Sequence, residues 1–252
     1  MGAIEHPPFV SLVGLGIPDH VFYTWVVMVV LVTLSVAATR NLQLAPRGLQ
    51  NFMEALLEQF LTALDDMIGH EGRRYLPLIG TLGLFILTSN LLGLIPGLMA
   101  PTSNLNTTAA CALIVFVTYH VIGIRKQGVV GYLKHFCGPV PWLAPLMFPI
   151  ELVSHMARPL SLSLRLFGNM FGGHVLLAVI FLLTGLDGLF GWALTGKLAG
   201  LLLGLPGGAV LIAFTVAFLL PLKILVAFLQ AFIFCMLSMV YIAGAIEEAE
   251  HH

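Results

Sequence analysis

Long apolar blocks alternate with short polar breaks along this chain, and the length of each block decides what it can be. Residues 21–39, VFYTWVVMVVLVTLSVAAT, carry no charge and are long enough to cross a bilayer as one helix. Residues 76–96 and 107–124 are further spans of that kind, the second stopping at Arg125 and Lys126. The stretch 48–68 has a different rhythm. Apolar side chains fall at 49, 52, 53, 56, 57, 60, 61, 64, 67 and 68, while Glu54, Glu58, Asp65 and Asp66 take the opposite face. That period predicts an amphipathic helix lying on a membrane surface or against another subunit.

Two later blocks are too long for an upright span. Residues 145–182 and 206–246 would extend to about 57 Å and about 60 Å as helices, against a hydrocarbon core of about 30 Å. Their middles, LSLSLRLFGN and LLPLKILVAF, are poor turns, so a hairpin of two spans is disfavoured. Each is expected to form one long, steeply tilted helix, kinked at Pro159 and Pro221. Residues 183–205 between them are Gly-rich and hold Asp187 and Lys197. The expected architecture is an all-α polytopic membrane protein in a single membrane domain, 1–252. Upright transmembrane helices accompany the two tilted ones and the surface helix, with residues 1–20 as an outer N-terminal segment.

Composition agrees: 59% of residues are hydrophobic, 9% are charged and mean hydropathy is +1.00. The net charge of −1 leaves no basic bulk for nucleic-acid binding. Cys111, Cys137 and Cys235 are scattered, with no metal or disulfide spacing. There is no HExxH, GxSxG or phosphate loop, so neither a nucleotide site nor a cofactor is expected. Arg40, Arg47, Arg73, Arg74, Arg125, Lys126 and Lys134 all fall in alternate breaks, which makes that side cytoplasmic. The N terminus is then outside and the acidic C-terminal tail inside.

Candidate chemistry sits on the two long blocks. Glu151, Arg158 and Arg165 recur every seven residues on one helical face, flanked by Ser154, His155, Ser161 and Asn169. Glu151 and Arg158 could form an internal ion pair, and His155 could be a packing residue or a proton carrier. Arg165 is different, because no acid lies at helical spacing from it. An arginine at mid-bilayer costs about 3 kcal/mol on insertion scales and stays protonated when desolvated, so its anion must come from elsewhere. His174 lies about 13 Å further along, and Glu151 about 21 Å before it. On the second block Lys223 is the lone charge, with Gln230 on its face. Antiparallel packing would bring Lys223 to His174 and Gln230 to Arg165. His120 and His135 fall at a membrane end and in a loop, where solvation is expected.

The string SLSLRLFGNMFGGH, residues 161–174, resembles the signature of the a-subunit family of F-type ATP synthase, also called the ATPase subunit 6 family. LQAFIFCMLSMVYIAGAIEEAEHH, residues 229–252, is similar to that family's C-terminal end, as are NLLGLIP and SNLNTT at 90–96 and 103–108. The resemblance implies a non-catalytic, proton-translocating stator subunit in a bacterial plasma membrane. Its implied partners are a rotating c-subunit ring, a b-subunit peripheral stalk and membrane lipid. Arg165 matches the family's essential arginine, and a c-subunit carboxylate would be its anion. Glu151 and Ser154 match the cytoplasmic half-channel; Asn169 and Gln230 match polar residues beside the arginine; His174 matches a relay position of the outer half-channel. One departure stands out: where the family usually pairs this position with a complementary acid or histidine, the chain has Lys223. The alternative reading is a self-contained secondary transporter in which Arg165 binds a small anion.

Overall fold

The computed structural model describes residues 18–40, 42–43, 45–95, 98–135, 144–185, 188–194 and 200–250. Residues 1–17, Cys137, Asp187 and Lys197, named above, lie outside the described residues, as do the side chains of His135 and the acidic tail. The described residues contain helices and no strand, and five helices are long and apolar enough to cross a membrane. The protein is an all-α polytopic membrane protein.

Helix α1, Asp19–Thr39, follows Pro18, whose extended backbone starts the helix, and Asp19 places an acid in the first turn. Only Tyr23, Val27 and Ala38 are buried, so most of its apolar surface faces outward. Helix α2, Leu49–Ile68, ends at Gly69, where φ is 78°. A side chain there would be strained, and the freed chain tightens into a 3₁₀ turn, His70–Tyr75. Helix α3, Leu76–Leu92, carries a proline in its first turn, where no amide partner is lost.

Helix α4 spans Leu105–His135. Asn104 caps it, its side-chain oxygen accepting the Asn106 amide at 2.9 Å. The expectation of an end at Arg125 gives way to a longer run. Arg125, Lys126 and Gln127 are good helix formers, and the break comes at Gly128, with φ 74° and ψ 161°.

Helix α5 runs without interruption over Ala144–Thr184, about 61 Å at 1.5 Å per residue, straight through Pro149 and Pro159. A short α6, Leu189–Leu194, leads towards α7, Leu205–Phe214. A π turn, Thr215–Leu219, joins α7 to α8, Leu220–Glu250. Its place has a local cause. Pro221 offers no amide and its ring crowds the carbonyl of residue 217, so the backbone widens by a turn rather than breaking.

The core is assembled on α8, which packs against α2, α3, α4 and α5. One buried cluster joins Leu64 of α2, Ile79 of α3, Tyr119 of α4, and Met239 and Ile242 of α8. The other joins Ile86, Val115, Leu162, Leu166 and Phe234 from α3, α4, α5 and α8. The amphipathic period of α2 is thereby explained: Leu64 is buried while Glu54 and Glu58 face outward. At Gly83 an added Cβ would lie 2.5 Å from the Cys235 sulfur and 3.2 Å from Phe60, so its small size sets how closely α2, α3 and α8 meet.

Candidate functional site

Helices α5 and α8 cross with opposite chain directions, and two contacts set their register. The Asn169 side-chain amide donates to Gln230 Oε1 at 2.6 Å. One turn further along α5, Lys223 lies over Gly173, its Cε 2.8 Å and its Nζ 3.3 Å from where a Cβ would stand. Gln230 is buried, so the hydrogen bond from Asn169 is its compensation for leaving water. The sequence places Gln230 by Arg165; in the structure its partner is Asn169, one turn on.

Arg165 points away from this contact. It is exposed, and among the described residues it makes neither an ion pair nor a side-chain hydrogen bond. Leu162 and Leu166 hold the inner face of the same turns in the core, so the guanidinium must project outward. Along that outer face Gly168 and Gly172 meet nothing within 4 Å, and Ser161 is exposed, its hydroxyl bonding the carbonyl of Arg158 at 2.9 Å. The result is a smooth strip of small residues with one fixed cation in it.

Beyond Asn169 a cavity of about 150 Å³ opens between α3, α5 and α8, lined by Asn90, Gly93, Asn169, His174, Leu219 and Lys223 among others. His174 rests on Gly93, with its Nε2 3.1 Å from where a Cβ would be. Asn90 is fully buried and doubly held: it accepts from the Thr102 hydroxyl at 2.7 Å and donates to the Ala227 carbonyl at 3.4 Å. This ties the 98–104 loop and α3 to α8 beside the cavity. Arg165 does not line it.

The other end of α5 carries Glu151, Ser154, His155 and Arg158. Ser154 is exposed and Glu151 half-buried. The open choice of a Glu151–Arg158 pair resolves against it among the described residues. The Glu151 carboxylate lies 3.4 Å from His155 Nε2 instead. The Arg158 guanidinium sits over two tyrosine rings, 5.8 Å from the Tyr119 centroid and 5.3 Å from that of Tyr241. His155 is buried, and Tyr119 OH lies 3.3 Å from its Nδ1. The expectation that His120 is solvated is also corrected. It is half-buried, its ring tilted at about 45° against those of Phe116 and Tyr119, with centroids 4.1 Å and 4.3 Å away, so these two rings replace part of its expected water.

Arg40, Arg47 and Arg125 stay at the surface of this end. Glu71 draws in Arg74 at 2.6 Å and Lys126 at 2.7 Å. Arg73 clasps Asp65 at 2.6 Å, and that bond holds the Asp65 carboxyl below the usual carboxylate range.

Residues 21–243 match the family described as ATP synthase A chain. The chain belongs to the ATP synthase A chain family. It is 48% identical to ATP synthase subunit a 1 of Pelobacter propionicus over 231 residues, covering 92% of this chain and 89% of that one. ATP synthase subunit a of Citrifermentans bemidjiense and that of Geobacter sulfurreducens are each 47% identical over the same span and shares.

In this member of the A-chain family the polar residues fall into three groups along α5. Glu151, with His155, stands at one end; Arg165, Asn169 and Gln230 hold the middle; His174 and Lys223 share a cavity at the other end. Ser154 stays apart, exposed beside the first group. Sequence reasoning missed Tyr119 and Tyr241, which carry Arg158, and the role of Asn90 and Thr102. An asparagine inside the apolar run 76–96 was the one signal for the latter; nothing in the spacing pointed to the tyrosines.

Proposed function

We propose that this chain is the stator subunit of the membrane sector of an F-type ATP synthase, carrying protons through two half-channels beside a rotating c-subunit ring. The observation that carries the reading is Arg165: a fixed cation on an outward strip of small residues, with no anion among the described residues of its own chain. A ring carriage with one carboxylate per subunit supplies that anion repeatedly. The strip gives the ring a surface to slide on. Membership in the ATP synthase A chain family supports the same conclusion.

In this mechanism protons enter from outside through the cavity at His174, Lys223 and Asn90, neutralise a ring carboxylate, and travel with the ring. On return the carboxylate meets Arg165. A nearby opposite charge favours the ionised acid by about 1–3 pKa units, so the proton is released towards Glu151 and Ser154. The permanent charge of Arg165 also repels protons that would leak directly between the half-channels. Asn169 and Gln230, locked at 2.6 Å, keep α5 and α8 in register behind the arginine. Helices α5 and α8 lie steeply inclined along the ring, in a bacterial plasma membrane, with the N terminus outside, the C terminus cytoplasmic and a b-subunit stalk as stator partner.

Replacing Arg165 with Ala is expected to abolish ATP-driven acidification of inverted vesicles carrying the assembled complex. Arg165→Lys should fail as well, because an ammonium lacks the planar fork and can lose its proton. Normal pumping in the alanine variant would overturn the reading. An anion transporter would need Arg165 to line an internal cavity, and the cavity between α3, α5 and α8 is lined without it.

A further inference from the structure

Lys223 brings a charge to the cavity between α3, α5 and α8 that no described residue answers. Its Cε and Nζ lie 2.8 Å and 3.3 Å from where a Gly173 Cβ would stand, so the ammonium stays at the cavity wall. The side chain is half-buried and, among the described residues, makes neither an ion pair nor a hydrogen bond. None of the described residues lining the cavity is an acid. Asp19 begins α1, which packs on the 101–103 turn, and does not line the cavity either.

The other polar groups of the wall have N–H to offer. The Asn169 amide donates one N–H to Gln230 Oε1 at 2.6 Å, and the Asn90 amide donates one to the Ala227 carbonyl at 3.4 Å. A carboxamide nitrogen carries two N–H groups, so each of these residues keeps a second donor. The Asn90 oxygen is already taken by the Thr102 hydroxyl at 2.7 Å. An ammonium and two amide donors thus line one space, which is the chemistry that receives an anion. At about 30 Å³ per water in the liquid, a cavity of about 150 Å³ holds a small anion with several waters and leaves no room for a long organic one.

A lone ammonium is also at odds with proton entry. Fixed positive groups beside a water-filled path raise the barrier to protons. We propose that the cavity binds a small monovalent anion, chloride or a short carboxylate, against Lys223, with the second N–H groups of Asn90 and Asn169 completing its shell. The bound anion cancels the field of the ammonium, so protons from outside cross a neutral cavity on their way to the ring. The inference rests on reading this cavity as the outer half-channel, as given above.

The test is passive proton conduction by inverted vesicles carrying the assembled complex with its catalytic sector stripped. A potassium potential, positive in the lumen, drives protons outward at neutral pH. The salt on both sides is potassium chloride, formate or gluconate at one ionic strength. Conduction is expected to be about tenfold faster in chloride or formate than in gluconate, and to saturate as chloride replaces gluconate. In Lys223→Met that preference should vanish. In Lys223→Glu, where a carboxylate of the chain itself takes the anion's place, conduction should be the same in all three salts. Equal conduction by the wild type in all three salts would overturn the proposal, as would a chloride preference retained in either variant. The half-channel reading fails separately. If Lys223→Met and His174→Ala both conduct as the wild type does, the cavity is not the entry and the anion site falls with it. If Lys223→Met changes conduction by one factor in every salt, the entry stands and only the anion site fails.

Discussion

A methyl group added at position 173 would have to displace Lys223, because the lysine's last carbon and its nitrogen lie over the glycine. Both basic side chains of the cavity depend on such room: Lys223 on Gly173 and His174 on Gly93. Overpacking of this kind costs about 1–3 kcal/mol where the neighbour cannot give. Lysine has a flexible stem, so the strain at 173 is relieved by moving the ammonium rather than the helices. Gly173→Ala is therefore expected to leave the complex assembled and to slow passive proton conduction from the outer side. The measurement is conduction in stripped vesicles set beside the amount of complex recovered. Wild-type conduction in that variant would show that the position of Lys223 is immaterial. At Gly93 the same change also meets Ala100 at 2.6 Å, a β-carbon of the loop with little freedom to yield.

At the scale of elements, α3 is packed through both apolar clusters and is further tied by an amide. Asn90 is 1% exposed and bonds both the Thr102 hydroxyl and the Ala227 carbonyl, so the loop before α4, α3 and α8 share a single polar node in an apolar interior. Asn90→Leu leaves the fully buried Thr102 hydroxyl without its acceptor, at a cost of about 1–3 kcal/mol. A lower thermal midpoint of the purified complex in detergent is the expected result, recovered in part by adding Thr102→Val, which removes the stranded group. An unchanged midpoint in the single variant would show the node to be dispensable. The π turn ahead of Pro221 is a second element-scale device: it lets apolar helix continue past a proline in a bilayer, where an open backbone group has no water to bond.

The whole molecule leaves a great deal of apolar side chain uncovered. Phe171, Val175, Leu182, Leu222, Leu225, Phe228 and Phe232 on α5 and α8 are all exposed, and α1 adds Trp25, Val29 and Val32. Lipid covers such a surface on the outward helices. The strip at Ser161, Arg165, Gly168 and Gly172 is different, because a bare guanidinium facing lipid is costly. A chain built this way works against a partner. The purified chain in liposomes is expected to carry neither anion nor proton flux above the lipid background, and flux should appear when the ring subunits are reconstituted with it. Sustained anion uptake by the chain alone would favour the transporter reading.

The residue pattern by itself determined the class of molecule. An apolar block long enough to span hydrocarbon has few alternatives, which is why the all-α polytopic reading follows from hydropathy. The orphan character of Arg165 was legible as well, since an i+4 partner is either present in a sequence or absent from it. Pairing between helices was not legible at that resolution. Antiparallel packing predicted the meeting of Lys223 with the His174 region, yet Gln230 bonds Asn169, one turn along α5 from Arg165, because Leu162 and Leu166 hold the core face of that turn and leave Arg165 pointing outward. Glu151 lies by His155 at i+4, a spacing the sequence itself holds. The charge of Arg158, by contrast, found tyrosine rings from α4 and α8. That choice depends on which helices lie alongside α5, and only the tertiary packing settles it, because a contact between distant segments leaves no period in the sequence to read.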